Sequence, residues 1–381
     1  MIPVSEPCVG QQELANVVDC VKTGWISSAG KYIEQFEAAW SAACGVKHGV
    51  AVSNGSTALD VAVRALGIGP GDEVLMPTFT IASCLSAVVN VGAVPVLIDS
   101  EPRTWGMDVS ALEAAVTART RAIMVVHIYG HPVDMDPVLR LAGRLSLKVI
   151  EDAAEVHGAR YLSGRDGTSP TWRLCGGMSD IATFSFYANK LITTGEGGMV
   201  VTSDSALASR ARSIRNLCFA PPRRFLHKEL GFNYRMTNIQ AAIGVAQVPR
   251  LAEIVARKRG IAAAYTSRLK LVKELELPVE ERWAHNVYWV YGVVLRDCVP
   301  FDAEEFARRL AARGVETRPF FLGMHEQPAL HSLGRYRDSL GRFPVAERIA
   351  RRGLYIPAGL TISDAQIELV CEAIEAVFAN G

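Results

Sequence analysis

Short apolar runs rich in β-branched residues recur along the first half of the chain, at Val74–Met76, Val94–Ile98, Ala122–Ile128, Lys148–Ile150, Ile181–Phe186 and Met199–Thr202. Their length and composition predict buried strands. Between several of them apolar residues fall at helical spacing, as at Leu59, Val61, Ala62 and Leu66, at Leu112, Ala115 and Val116, and at Leu139, Leu141 and Leu145. Strands alternating with helices over residues 50–205 predict an α/β domain with a mainly parallel sheet, because parallel neighbours need a crossover between them. The breaker cluster from Gly67 to Asp72 is placed as the turn between a helix and the strand at Val74.

The pattern changes near residue 248. A long charged segment from Arg250 to Lys270 carries apolar residues at Leu251, Ile254, Val255, Ile261 and Tyr265 and predicts a helix leading into a second unit. Near the end, Ser363 and Gln366 have the spacing of a capping box, and Ile367, Val370, Cys371, Ile374, Val377 and Phe378 form one apolar face. The chain therefore divides into a large α/β domain, residues 1–247, and a smaller C-terminal domain, residues 248–381. Residues 161–177, rich in Gly, Ser, Arg and Trp, predict an exposed excursion whose length invites a role at a site or an interface.

Composition narrows the function classes. With 381 residues, 49% of them hydrophobic and 21% charged, the chain has ample material for large cores and little for disorder. Forty Lys and Arg against 39 Asp and Glu leave a net charge of +1, so no overall field favours nucleic acid or an anionic membrane. The eight cysteines stand singly without CxxC pairs, which suggests neither a disulfide framework nor a zinc module. No basic stretch followed by an apolar run opens the sequence, and no apolar run reaches the roughly 18 residues of a spanning helix. A cytoplasmic protein is expected.

Neither GxxxxGK[ST] nor a GxGxxG between strand and helix is present, so P-loop and dinucleotide-binding readings lose their support. Four other constellations fall at strand ends or loops of the α/β domain, where such folds bind ligands. In Ser53-Asn54-Gly55-Ser56-Thr57 a glycine and hydroxyl residues open a helix, an arrangement that can hold a phosphate or simply cap the helix. Asp152, in Ile150-Glu151-Asp152-Ala153-Ala154-Glu155, follows a buried strand and could pair with a protonated ring nitrogen or cap a turn. Lys190 stands between the aromatic Phe184-Ser185-Phe186-Tyr187 and the Gly-rich Thr194-Gly195-Glu196-Gly197-Gly198. An apolar pocket disfavours a lysine's charged form and makes it a nucleophile toward carbonyls, whereas a surface turn would leave it solvated. Gly231 to Asn238 is a polar and aromatic run before a helix. Together the first three supply a phosphate cradle, an acid for a ring nitrogen and a carbonyl-reactive amine, the set that pyridoxal 5'-phosphate (PLP) requires.

On these motifs, and on Ser27-Ser28-Ala29-Gly30-Lys31-Tyr32, Gly71-Asp72-Glu73-Val74, Val126-His127-Ile128-Tyr129-Gly130 and Arg318-Pro319-Phe320-Phe321, the sequence resembles the DegT/DnrJ/EryC1/StrS family of PLP-dependent sugar aminotransferases, most of all its GDP-perosamine-forming branch. The likeness runs along nearly the whole chain. It implies PLP-dependent aminotransferase fold type I, with a mainly parallel sheet and a smaller C-terminal α+β domain. It further implies transfer of the amino group of L-glutamate to a nucleotide-linked 4-keto-6-deoxy sugar, in a homodimer with active sites at the subunit interface. No metal, nucleic acid or membrane is called for.

By the same resemblance Lys190 is the Schiff-base lysine and proton shuttle, Asp152 keeps the pyridine nitrogen protonated, and Glu155 lies near the ring hydroxyl. Gly55, Ser56, Thr57 and Ser185 hold the phosphate, joined by Asn233 reaching over from the other subunit. Trp25, Arg235 and His325 line the sugar-nucleotide side. Two departures stand out. Many relatives place a ring-stacking aromatic four residues after the Pro of Pro-Thr-Phe-Thr; here Ile81 follows Pro77-Thr78-Phe79-Thr80, so an aliphatic side chain is expected to cover the ring by dispersion. The family's Gly-Asp before the lysine strand is Ser179-Asp180 here.

Overall fold

The computed structural model describes residues 1–379 except 166, 168, 221, 222, 224, 335 and 337–340. Its strands are β1 (His48–Val52), β2 (Glu73–Pro77), β3 (Val94–Ile98), β4 (Thr120–Val126), β5 (Lys148–Asp152), β6 (Arg160–Ser163), β7 (Thr171–Leu174), β8 (Ile181–Ser185), β9 (Gly198–Thr202), β10 (Leu275–Glu276), β11 (Ala284–His285), β12 (Tyr291–Leu295), β13 (Arg318–Pro319) and β14 (Gly353–Ile356). Seven of them form the main sheet in the order β1-β9-β8-β5-β4-β2-β3. Only β9 runs antiparallel to its two neighbours; the other pairings are parallel. Strand β1 escapes the apolar-run pattern because it opens on His48 and Gly49, yet from Gly49 onward it is fully buried.

Local chemistry sets the element ends. Helix Gly55–Ala65 starts where Asn54 Oδ1 accepts the Thr57 N–H at 2.9 Å, and the chain leaves it through Gly67 at φ +76°, a conformation that favours glycine. The expected capping box at the last helix, Asp364–Ala379, is present: the Ser363 N–H donates to Gln366 Oε1 and the Gln366 N–H to Ser363 Oγ.

Two apolar cores result. One surrounds the main sheet and centres on aromatic side chains such as Phe36, Trp40, Phe184 and Phe186. The other joins Tyr265, Tyr291, Phe306 and Val370 beneath the antiparallel sheet β10-β12-β14-β13. The start of the chain runs back to this second unit: Ile2 bridges Val315, and the Val4 N–H donates to Glu316. Helical structure continues without a break from Asn238 to Leu269, across the position at which the sequence changes character. That stretch is long and apolar enough, by length and composition, to cross a membrane; its first part packs on helices Gln11–Thr23 and Lys31–Cys44.

The segment 161–177 is an exposed excursion over much of its described length, with residues 169–173 open to solvent, but it is ordered as strands rather than loop. Its described residues form the hairpin β6–β7, which pairs with β11. Tyr161 is fully buried against Trp283 and donates its hydroxyl to Asp134 at 2.6 Å. Tyr161 thus anchors the base of the hairpin, while Arg160 beside it faces water.

Candidate active site

Parallel strands leave a crevice beyond their C-terminal ends. Here the ends of β5 and β8, the start of helix Gly55–Ala65 and the turn after β8 line a cleft of ≈ 480 Å³, open to solvent at its mouth. Gly55, Ser56, Ile81, Asp152, Glu155, Ser185 and Lys190 all line it. Residues spread over more than a hundred positions are brought together by the crossovers of the sheet.

Lys190 is almost entirely buried, with Nζ 3.8 Å from Glu155 Oε1 and 3.5 Å from the centre of the Trp289 ring. Burial lowers its pKa from the usual lysine value, against the attraction of Glu155 and Asp152. Burial likewise raises the carboxyls of Glu155 and Asp152, which the charge of Lys190 opposes. Glu155 Oε2 accepts the Tyr129 N–H at 2.7 Å. That amide is presented by a backbone with Tyr129 at φ +56° and Gly130 at φ +105°. Gly130 is required there, since a Cβ would lie 2.6 Å from the backbone nitrogens of Tyr288 and Trp289. Asp152 Oδ1 accepts the Ala154 N–H at 3.0 Å, and its Oδ2 accepts the thiol of Cys84 at 3.1 Å.

Opposite Asp152 lies the helix start. A Cβ on Gly55 would meet Ser185 Cβ at 2.7 Å, so only glycine lets the helix approach the end of β8 this closely. Asn54 occupies the N–H of Thr57, leaving those of Gly55 and Ser56 without intrahelical partners. Ser56 Oγ meets Ser83 Oγ at 2.6 Å. Thr57 has a different place from the one expected. Its hydroxyl donates to the Asn54 carbonyl at 2.8 Å and accepts the Asn54 N–H, and its side chain lies outside the cleft lining. It closes the cap rather than the cradle.

His325 also lies away from the lining expected for it. It is buried, with Nδ1 2.7 Å from Thr78 Oγ1 and its ring 4.6 Å from that of Phe343. Its Nε2 lies 3.5 Å from Glu347 Oε1, so its neighbours are Thr78, Glu347 and Phe343, and it does not line the cleft. Trp25, Asn233 and Arg235 lie on a separate outer face. Trp25 is exposed, Asn233 pairs with Asn216, and Arg235 donates to Ser28 and Asn216. Within one chain they do not join the cleft. Phe79 is buried among Tyr129, Phe320 and Phe321, which leaves half-exposed Ile81 on the cleft wall.

Cys84, Trp289 and Tyr355, in or beside the cleft, carry no sequence motif. Tyr129 and Phe321 lie in quoted resemblance segments, but nothing in their spacing points to Glu155 or to the cleft. Beneath the site a buried pair, His127 and Glu151, lies close to Cys175. His127 Nδ1 accepts the Val133 N–H, so its Nε2 donates to Glu151, which also accepts from Gly176, Met178 and Ser179. Hydrogen bonds thus account for that histidine and carboxylate.

The donor set fits PLP. A helix start with two open N–H groups suits a phosphate, the buried Asp152 suits a protonated ring nitrogen, and the desolvated Lys190 suits an aldehyde. Thr183 Oγ1, buried on the cleft lining without a hydrogen-bond partner, adds a polar atom awaiting one. Residues 7–375 match the DegT/DnrJ/EryC1/StrS aminotransferase family.

The chain belongs to that family. It is a PLP-dependent sugar aminotransferase of fold type I. It is 42% identical to a GDP-perosamine synthase of Caulobacter vibrioides over 99% of this chain and 98% of the relative. A GDP-perosamine synthase of Escherichia coli O157:H7 is 38% identical over 100% and 99%. Among solved structures, the aminotransferase TlmJ from Streptoalloteichus hindustanus superimposes with a TM-score of 0.90 at 32% identity, covering 100% of this chain and 99% of that one.

Proposed function

We propose that this aminotransferase moves the amino group of L-glutamate to GDP-4-keto-6-deoxymannose, forming GDP-perosamine, and that it works in the cytoplasm as a homodimer. The observation that carries the substrate assignment is the 42% identity, end to end, with the Caulobacter GDP-perosamine synthase. In the dimer we assign Asn233 of the partner subunit to the phosphate, and Trp25 and Arg235 to the sugar-nucleotide side. Their position on an outer face supports this, since such a face is free to meet a second copy.

Bound PLP supplies an aldehyde that condenses with amines and, with its nitrogen protonated, a ring that withdraws electrons. The chain supplies the rest. Lys190, lowered in pKa by burial, offers an amine and, once released, moves a proton at the reacting carbon. Asp152 would keep the ring nitrogen protonated, Gly55 and Ser56 would meet the phosphate, and Trp289 and Phe321 would keep water from one wall.

The test is a visible spectrum of the PLP-loaded enzyme during successive additions. L-Glutamate should bleach the band of the lysine-bound cofactor, and GDP-4-keto-6-deoxymannose should restore it. Restoration by the dTDP-glucose-derived keto sugar alone would change the nucleotide and sugar. A band untouched by L-glutamate would remove the donor.

A further inference from the structure

Asp152 is the acid on which the ring nitrogen depends, yet it is buried in surroundings that favour its neutral form. Two protein donors reach it: the Ala154 N–H on Oδ1 and the Cys84 thiol on Oδ2 at 3.1 Å. Cys84 is itself fully buried, and its own sulfur accepts the Thr80 hydroxyl at 3.3 Å. A relay Thr80–Cys84–Asp152 is therefore built across one helical turn, fixed in direction at its end because a carboxylate only accepts. Burial pushes the Cys84 thiol well above its usual range, so it stays an S–H donor.

We propose that Cys84 is a positioning residue for the transamination: its S–H aims Asp152 at the ring nitrogen and keeps the carboxylate charged, so that the shared proton rests on the ring. Without that donor, the buried carboxyl takes the proton and the ring loses its positive charge. Geometry supports the assignment from a second side. Cys84 sits in the first turn of helix Ala82–Val89, with Ile81 on the cleft wall and Ser83 bonded to Ser56. One turn of helix thus fixes the ring-covering side chain, a phosphate-side hydroxyl and the acid.

Cys84→Ala, Cys84→Val and Cys84→Ser test it in the PLP-loaded enzyme. Alanine should slow the bleaching by L-glutamate by about tenfold, the loss of one hydrogen bond to a charged group. It should also move the pH midpoint of the visible band upward, since a ring without its positive charge no longer opposes protonation nearby. Serine, which keeps an O–H donor, should bring both readings back toward wild type. Valine, close to the thiol in volume, should behave as alanine and carries the test if alanine leaves the helix too loosely packed to fold. A midpoint unchanged in alanine and valine would overturn the proposal. So would a midpoint and rate altered as much in serine as in valine, which is the pattern of packing alone.

Discussion

The ammonium nitrogen of Lys190 lies 3.5 Å from the centre of the Trp289 ring, and the Trp289 indole N–H donates to the carbonyl of Asn189, one residue before that lysine, at 2.8 Å. The ring face stabilises the charged amine while the N–H fixes the turn that carries it. Trp289→Leu removes both. We expect kcat to fall by about 5- to 30-fold, the equivalent of a desolvated cation–π contact, with KM for L-glutamate little changed. Trp289→Phe, which keeps a ring face, should lose less. Steady-state kinetics on both variants checks this.

Gly55→Ala tests the phosphate cradle. The new methyl would collide with Ser185 Cβ, forcing the helix start away from β8. PLP affinity should fall by about tenfold or more, the effect of an overpacked contact, measured by fluorescence titration. The melting temperature of the PLP-free protein should fall as well, since the helix preference of alanine, about 1 kcal/mol, offsets only part of the collision.

Thr57 and Asn54 separate capping from ligand binding. Asn54→Ala should lower stability to urea by about 1 kcal/mol, as expected for a lost N-cap. Thr57→Ala, whose hydroxyl serves the same cap, should leave the PLP dissociation constant within about twofold of wild type, the scale of a residue without ligand contact. A large rise in that constant would return Thr57 to the cradle.

Lys258 supplies a pH dependence. Its Nζ donates to the Ala358 carbonyl. Burial lowers its pKa from 10.5 to about 7. Between those values the unfolded chain binds a proton that the folded chain does not, so this group makes stability rise with pH, by up to about 1.4 kcal/mol per unit. Urea unfolding of the PLP-free protein at about pH 7.5 and about pH 9.5, both inside that window, should show that gain in wild type, and a smaller gain in Lys258→Met.

The contiguous parts of the site were legible in the sequence. Lys190 stands between an aromatic strand and a glycine-rich turn, and Asp152 ends an apolar run, so each carries its own context. The residues that complete the site lack such context. Cys84 and Trp289 act through distances that only the packed fold creates, across Asp152 in one case and Lys190 in the other. Thr57 shows the converse. A hydroxyl at a helix start reads equally as a cap or a ligand, and the tight Asn54 geometry decides for the cap. His325 lies in a segment without periodicity, where sequence gives no sign of which way a ring turns.

Strand β9 is inserted between β8 and β1, and Ser185 pairs across to Gly198, so both ends of the Lys190 loop are tied to adjacent rungs of one ladder. A loop closed in this way has little freedom to lengthen or drift. Its reactive amine stays put against a facing wall built from Phe321 and Tyr355, which comes from another part of the chain. Amine and facing wall are thus carried by separate parts of the fold, so a change in the wall need not shift the ladder that anchors Lys190.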